Sequence, residues 1–120
     1  MILLKKSQFL FIITILLLIA CKLFTVEPPG VGEKSERGYA ACAPVIKALE
    51  QYRADKGEYP ETPTELVPKY ISVVPAEVNN EPISYTKTDE SFSLSFHYIG
   101  PGTNTCTFTP KDKWHCSGAF

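Results

Sequence analysis

The chain has 120 residues, enough for one domain, and its ten prolines, seven phenylalanines and six tyrosines fit a compact α+β unit with many turns and exclude a disordered one. Its formal net charge is −1; setting aside the first twenty residues, which carry Lys5 and Lys6, leaves ten basic against thirteen acidic side chains, or −3. No basic run or stripe stands ready to meet phosphates, so nucleic acid is excluded as an expected partner.

Lys5 and Lys6 precede the apolar run Phe9–Ala20, which closes with Leu18-Ile19-Ala20-Cys21. A charged start, an apolar stretch and a small residue before the cut are the parts of an export signal. The tetrad also resembles a bacterial lipobox, which implies that Cys21 is lipidated and becomes the mature N-terminus. As a helix, the thirteen residues Phe9–Cys21 span about 20 Å, short of a hydrocarbon core of about 30 Å. Extending the run to Val26 reaches a spanning length but takes in Lys22, and this single-pass anchor is the alternative. Both readings put the remainder in the bacterial cell envelope, facing the periplasm. Lys22, where an aspartate would signal retention, leans by resemblance to lipoprotein sorting toward the outer membrane. Residues 1–20 are then a signal peptide, 21–34 a tether containing Glu27-Pro28-Pro29-Gly30, and 35–120 a head domain.

The head begins with an amphipathic helix predicted over Ser35–Pro60. Tyr39, Cys42, Ala43, Ile46, Leu49 and Tyr52 recur every three or four residues and so share one face, while Lys47, Glu50, Arg53, Asp55 and Lys56 take most of the rest. Gly57 is the expected stop. Pro44 either opens the regular helix or kinks a longer one, and the periodicity of Tyr39 and Cys42 favours the longer helix. Thr62-Pro63-Thr64-Glu65 is a capping box for a helix of one or two turns ending near Pro68. Tyr70 to Val74 then forms an apolar return crossing, and Asn79-Asn80 a loop.

Four strands in a meander follow. Ile83–Lys87 and Phe92–Tyr98 flank a two-residue loop at Asp89-Glu90, which sets Tyr85 opposite Leu94 and Ile83 opposite Phe96. Phe92, Leu94, Phe96 and Tyr98 alternate with Ser93, Ser95 and His97, giving the sheet one aromatic and one polar face. Gly100-Pro101-Gly102 turns the chain into Thr103–Thr109, and Pro110-Lys111-Asp112 reverses it into Lys113–Ser117. The long helix is the one element able to cover the aromatic face, with Tyr39, Ile46, Leu49 and Tyr52 expected against Leu94, Phe96 and Phe108.

The run Ala48 to Pro60, with Leu49, Tyr52, Gly57, Tyr59 and Pro60, followed by Leu66-Val67-Pro68 and Val74-Pro75, resembles the head of type II secretion pseudopilins and related pilin-like proteins. The resemblance spans roughly Tyr39–Tyr98 and implies a helical spine packed on an antiparallel sheet. Pilin-type leaders, however, end in glycine before an aromatic or methionine and carry a glutamate early in the apolar run; neither feature is present here. Asp112 is the one acid after Glu90, so the calcium loop of the major pseudopilin has no counterpart. The resemblance therefore implies the fold and not the filament.

If Cys21 carries lipid, Cys42, Cys106 and Cys116 remain. With 110–112 as a three-residue loop, Cys106 and Cys116 face each other across a strand pair and are predicted to be bridged. Cys42 reads as a buried core thiol; a bond to a partner or to a sheet cysteine is the alternative. His97 and His115 fall on the polar face, separated by a strand, without a third metal ligand, and a pairing of His115 with Ser95 or Ser117 has no elbow, no orienting acid on that face and no oxyanion loop. The expectation is a non-enzymatic lipoprotein without cofactor or metal. Its partners would be the membrane, through the lipid anchor, and another envelope protein. A single-pass accessory protein of a secretion or pilus apparatus is the second reading.

Overall fold

The computed structural model describes residues 2–20 and 26–118. Helix α1 runs Ile2–Ala20. Helix α2 spans Glu33–Lys56, a 3-10 helix covers Pro63–Leu66, and six strands follow: β1 Glu77–Val78, β2 Glu81–Pro82, β3 Ser84–Lys87, β4 Phe92–Ile99, β5 Thr103–Thr109 and β6 Lys113–Gly118. The last four pair in the order β3-β4-β5-β6, all antiparallel, so the α+β class and the four-stranded meander are as expected. Among the described residues no helix is long and apolar enough to cross a membrane.

The hairpin registers follow the alternation of apolar residues. Tyr85 lies opposite Leu94, Phe96 opposite Cys106, and Phe108 opposite Trp114. A slip of one residue in any pair would bring serines, threonines and histidines to the inner face, and burial of Phe92, Leu94, Phe96 and Phe108 holds the register against it.

One pairing is new. The residues expected as a loop, Asn79-Asn80, are the turn of a small hairpin joining β1 to β2, with Glu77 opposite Pro82. Both asparagines adopt positive φ (55° and 61°), the backbone of a type I′ turn, which asparagine tolerates better than most residues. Asn79 also donates its Nδ2 hydrogen to the Lys34 carbonyl at 2.8 Å and so ties this hairpin to the start of α2.

Helix α2 starts two residues before the expected boundary and stops at Gly57, in the left-handed region (φ 83°), whose N–H bonds the Arg53 carbonyl. It runs on through Pro44, whose ring is exposed. The buried face differs from the one predicted. Ser35, Gly38, Cys42, Val45, Ala48 and Leu49 are buried, whereas Ala43 is exposed and Tyr39, Ile46 and Tyr52 are half-buried at the margins. The helix is rotated so that its small residues meet the aromatic sheet and its tyrosines flank the contact. The reason lies at Gly38: a Cβ there would fall inside the van der Waals envelope of the Phe96 ring, so the missing side chain sets how closely helix and sheet approach.

This gives a prediction whose sign is diagnostic. In an unencumbered helix, Gly→Ala gains about 0.5–1 kcal/mol from propensity. At Gly38 the clash with Phe96 reverses that, and Gly38→Ala is expected to lose about 2 kcal/mol net in urea denaturation. A stabilised variant would mean that α2 does not lie this close to the sheet.

After α2 the chain is clamped to the far edge of the sheet. Tyr59 is buried against Phe92, ring centroids 4.7 Å apart. Its hydroxyl donates to Glu50 Oε1 (2.9 Å) and accepts from Arg53 Nη1 (3.1 Å), returning to the helix it has just left. Tyr85 donates to the Pro60 carbonyl at 2.6 Å, and burial pushes its hydroxyl up to about 12. The capping box forms as expected at the 3-10 helix, where Glu65 accepts the Thr62 N–H at 3.0 Å.

Candidate functional site

The strongest chemical constellation lies where the chain enters the head. Pro28-Pro29-Gly30-Val31 is a turn closed by the Val31 N–H on the Pro28 carbonyl (3.1 Å), with proline at its second position and Gly30 at φ 87°. That is the residue pattern of a type II turn. Two tyrosines hold Gly30 from both sides of its backbone. The Gly30 N–H donates to Tyr98 Oη at 2.8 Å, and Tyr39 donates its hydroxyl to the Gly30 carbonyl at 2.9 Å. A Cβ on Gly30 would lie 2.7 Å from Cys116 Sγ, so the turn rests directly on that cysteine.

Cys116 is bonded to Cys106 across β5 and β6, with Cα atoms 4.1 Å apart and a separation of ten positions in sequence. The bridge, the predicted one, closes the hairpin beneath the turn. Tyr39 Oη lies 3.2 Å from Cys116 Sγ and 3.9 Å from Cys106 Sγ. Burial, with the Tyr98 and Glu36 side chains nearby, raises the Tyr39 hydroxyl above its ordinary value and keeps it protonated as a donor. Gly30, Tyr39, Tyr98 and the disulfide thus form one latch. The sequence reading took residues 21–34 as a tether; from Pro28 onward the chain is fixed to the head, and the Pro-Gly pair was the turn signal available to find it. Cys21 lies outside the described residues.

Cys42 is free and fully buried, as its place on α2 suggested. Burial pushes its thiol from an ordinary 9.0 to about 11. An unfolded chain releases that proton near 9.0 and the folded one only near 11, so folding takes up a proton in between. Stability is therefore expected to fall as pH rises through this window, and Cys42→Ala should flatten the fall. An alkylating reagent at neutral pH should reach Cys42 only after denaturation. Peptide mapping of the non-reduced protein should return a Cys106–Cys116 peptide, and removing that bridge should cost about 2–3 kcal/mol. A cross-linked peptide containing Cys42, or alkylation of Cys42 in the native protein, would refute this assignment.

The polar face of the sheet is a ladder of hydroxyls. Ser95 and Thr107 share a hydrogen bond of 2.8 Å, and His97 Nδ1 meets Thr105 Oγ1 at 2.9 Å. His115 is opposite Thr107 and Ser117 opposite Thr105, so the two histidines lie on non-adjacent strands, as parity predicted. One point departs from the sequence reading, which placed no acid on the side of His115. Asp112 and His115 line a common open cleft with Thr107, Thr109, Lys113 and Trp114. Asp112, however, engages Thr109, accepting from its hydroxyl at 3.4 Å while its own N–H bonds Thr109 Oγ1 at 3.0 Å. Among the described residues no three histidine, cysteine, aspartate or glutamate side chains are grouped to hold a metal ion.

Fold and site together define an α+β domain whose antiparallel meander is closed by a disulfide and whose entry turn is held by two tyrosines. Comparison with protein-family models, with curated proteins and with solved structures gave no match.

Proposed function

We propose that this is a non-enzymatic lipoprotein of the bacterial cell envelope, with a head on the pilin-like plan and a binding or structural role. The observation that carries the reading is the exposure of α1. Phe9, Leu10, Phe11, Leu16 and Leu17 are each 60–70 % exposed, so among the described residues nothing covers these apolar side chains. A helix of that kind requires an apolar medium or removal as a signal. The Cys106–Cys116 bridge adds support, because such bonds persist in oxidising compartments. The long helix lying on an antiparallel sheet agrees with the pilin-like plan.

Intact mass of the membrane-extracted protein tests this. The expected mass is that of a chain beginning at a lipid-modified Cys21, and Cys21→Ser should leave an unlipidated precursor. A chain that keeps residues 1–20 in the membrane would instead be a single-pass protein. Identical mass and processing in the serine variant would refute lipidation, and gentle crosslinking followed by co-purification would name the envelope partner.

A further inference from the structure

The head has two unlike ends. Helix α2 and strand β4 both run from one to the other, β4 in the opposite sense, and the eight residues of β4 span about 27 Å. At one end lie the entry turn, the start of α2 and the end of β4, joined by Lys34 Nζ donating to the Ile99 carbonyl and by the bonds of Tyr98 and Tyr39 to Gly30. At the other lie Gly57, the turn at Asp89-Glu90 and the loop 110–112, with exposed Glu58, Glu61, Asp89, Glu90 and Lys111.

Three of the head's exposed large apolar side chains lie at the first end, while Val67 and Val73 lie on the segment between the 3-10 helix and β1. Val26, Val31 and Ile99 are 61, 52 and 58 % exposed. Val31 shares an open groove with Glu27, Glu33, Lys34, Tyr98 and Gly100, so apolar and charged side chains meet at this end. The chain leads from here to α1 by a short path. Seven residues separate Ala20 from Pro28, where the latch begins, and even fully extended they reach only about 25 Å. An anchor in a bilayer therefore keeps this end within about 25 Å of the lipid surface.

We infer that the entry end of the head seats on the lipid interface through Val26, Val31 and Ile99, with the charged loops of the opposite end facing away. The inference rests on the membrane-anchored reading above. The occupant follows from the length of the leash: a bilayer is the one apolar surface that the anchor itself brings within reach.

The test uses the full chain reconstituted into phosphatidylcholine vesicles with and without brominated acyl chains. Trp114 supplies a constant background, and Ile99→Trp, Val31→Trp and Asp89→Trp each add one reporter. Bromine is expected to quench the added emission at 99 and at 31 at least threefold more than at 89. If the vesicles float with the protein but position 99 and position 31 are quenched no more than 89, the seating is wrong and the anchor stands. If the protein does not float with the vesicles, both fall. Two reporters at the entry end keep the test decisive should either variant fail to fold.

Discussion

Phe96→Ala is expected to remove about 3–5 kcal/mol of folding free energy, the largest loss from any single substitution in the sheet. Phe96 is fully buried. Its ring meets Tyr39 and Trp114 edge-on at 5.4 and 5.3 Å and stacks on Tyr98 at 6.3 Å. Helix α2 lies against it at Gly38, where no side chain can move in to fill the gap. The cavity would thus stay open, bounded by the backbone of α2 and by rings fixed on α2, β4 and β6, which puts the cost toward the top of the range. With a total stability of about 5–15 kcal/mol for a domain of this kind, such a loss is visible as a large shift in the urea midpoint. A loss below about 1 kcal/mol would mean that this ring is not the keystone of the helix–sheet contact. Pairing the change with Gly38→Ala sharpens the result: the added methyl should cost less once the ring is gone, and strictly additive losses would show that the two positions do not touch.

Leu49→Ala is the second large effect, expected at about 2–4 kcal/mol, because Leu49 is fully buried in the helical face that carries Val45 and Ala48. Its neighbour Glu50 is the control. Although exposed, Glu50 accepts the hydroxyl of buried Tyr59, so Glu50→Ala should cost about 0.5–1.5 kcal/mol, more than a bare surface change and less than Leu49→Ala. Equal losses at 49 and 50 in a denaturation series would overturn the orientation of α2. Val45→Ala should likewise exceed any loss from changing exposed Ala43, the residue that periodicity alone had placed inward.

What could be read from the residues, and what could not, divides along a physical line. The sheet was legible because an alternation of phenylalanine with serine specifies both face and register, and Cys106 and Cys116 then fell opposite one another. The phase of α2 was misread because its contact face is made of Ser35, Gly38, Cys42 and Ala48, small residues with little hydropathy signal, while tyrosine, amphipathic by nature, is content at the margin. The β1–β2 hairpin was hidden by its brevity and by Glu77 and Glu81, since two-residue strands show no alternation. The latch was beyond reach for another reason. It depends on a tyrosine hydroxyl meeting a backbone amide 68 positions away, and no local pattern encodes that.

The meander also bears on the order in which the molecule assembles. Every strand from β4 to β6 pairs with the one synthesised just before it, and the disulfide joins residues only ten apart. Chains rich in such near-neighbour contacts close their loops cheaply and fold fast. Strand by strand, the sheet can grow as the chain emerges, and its last hairpin can close without waiting for distant parts. Only the union with α2 and the entry turn spans most of the domain, so the leading segment is the first made and the last to dock.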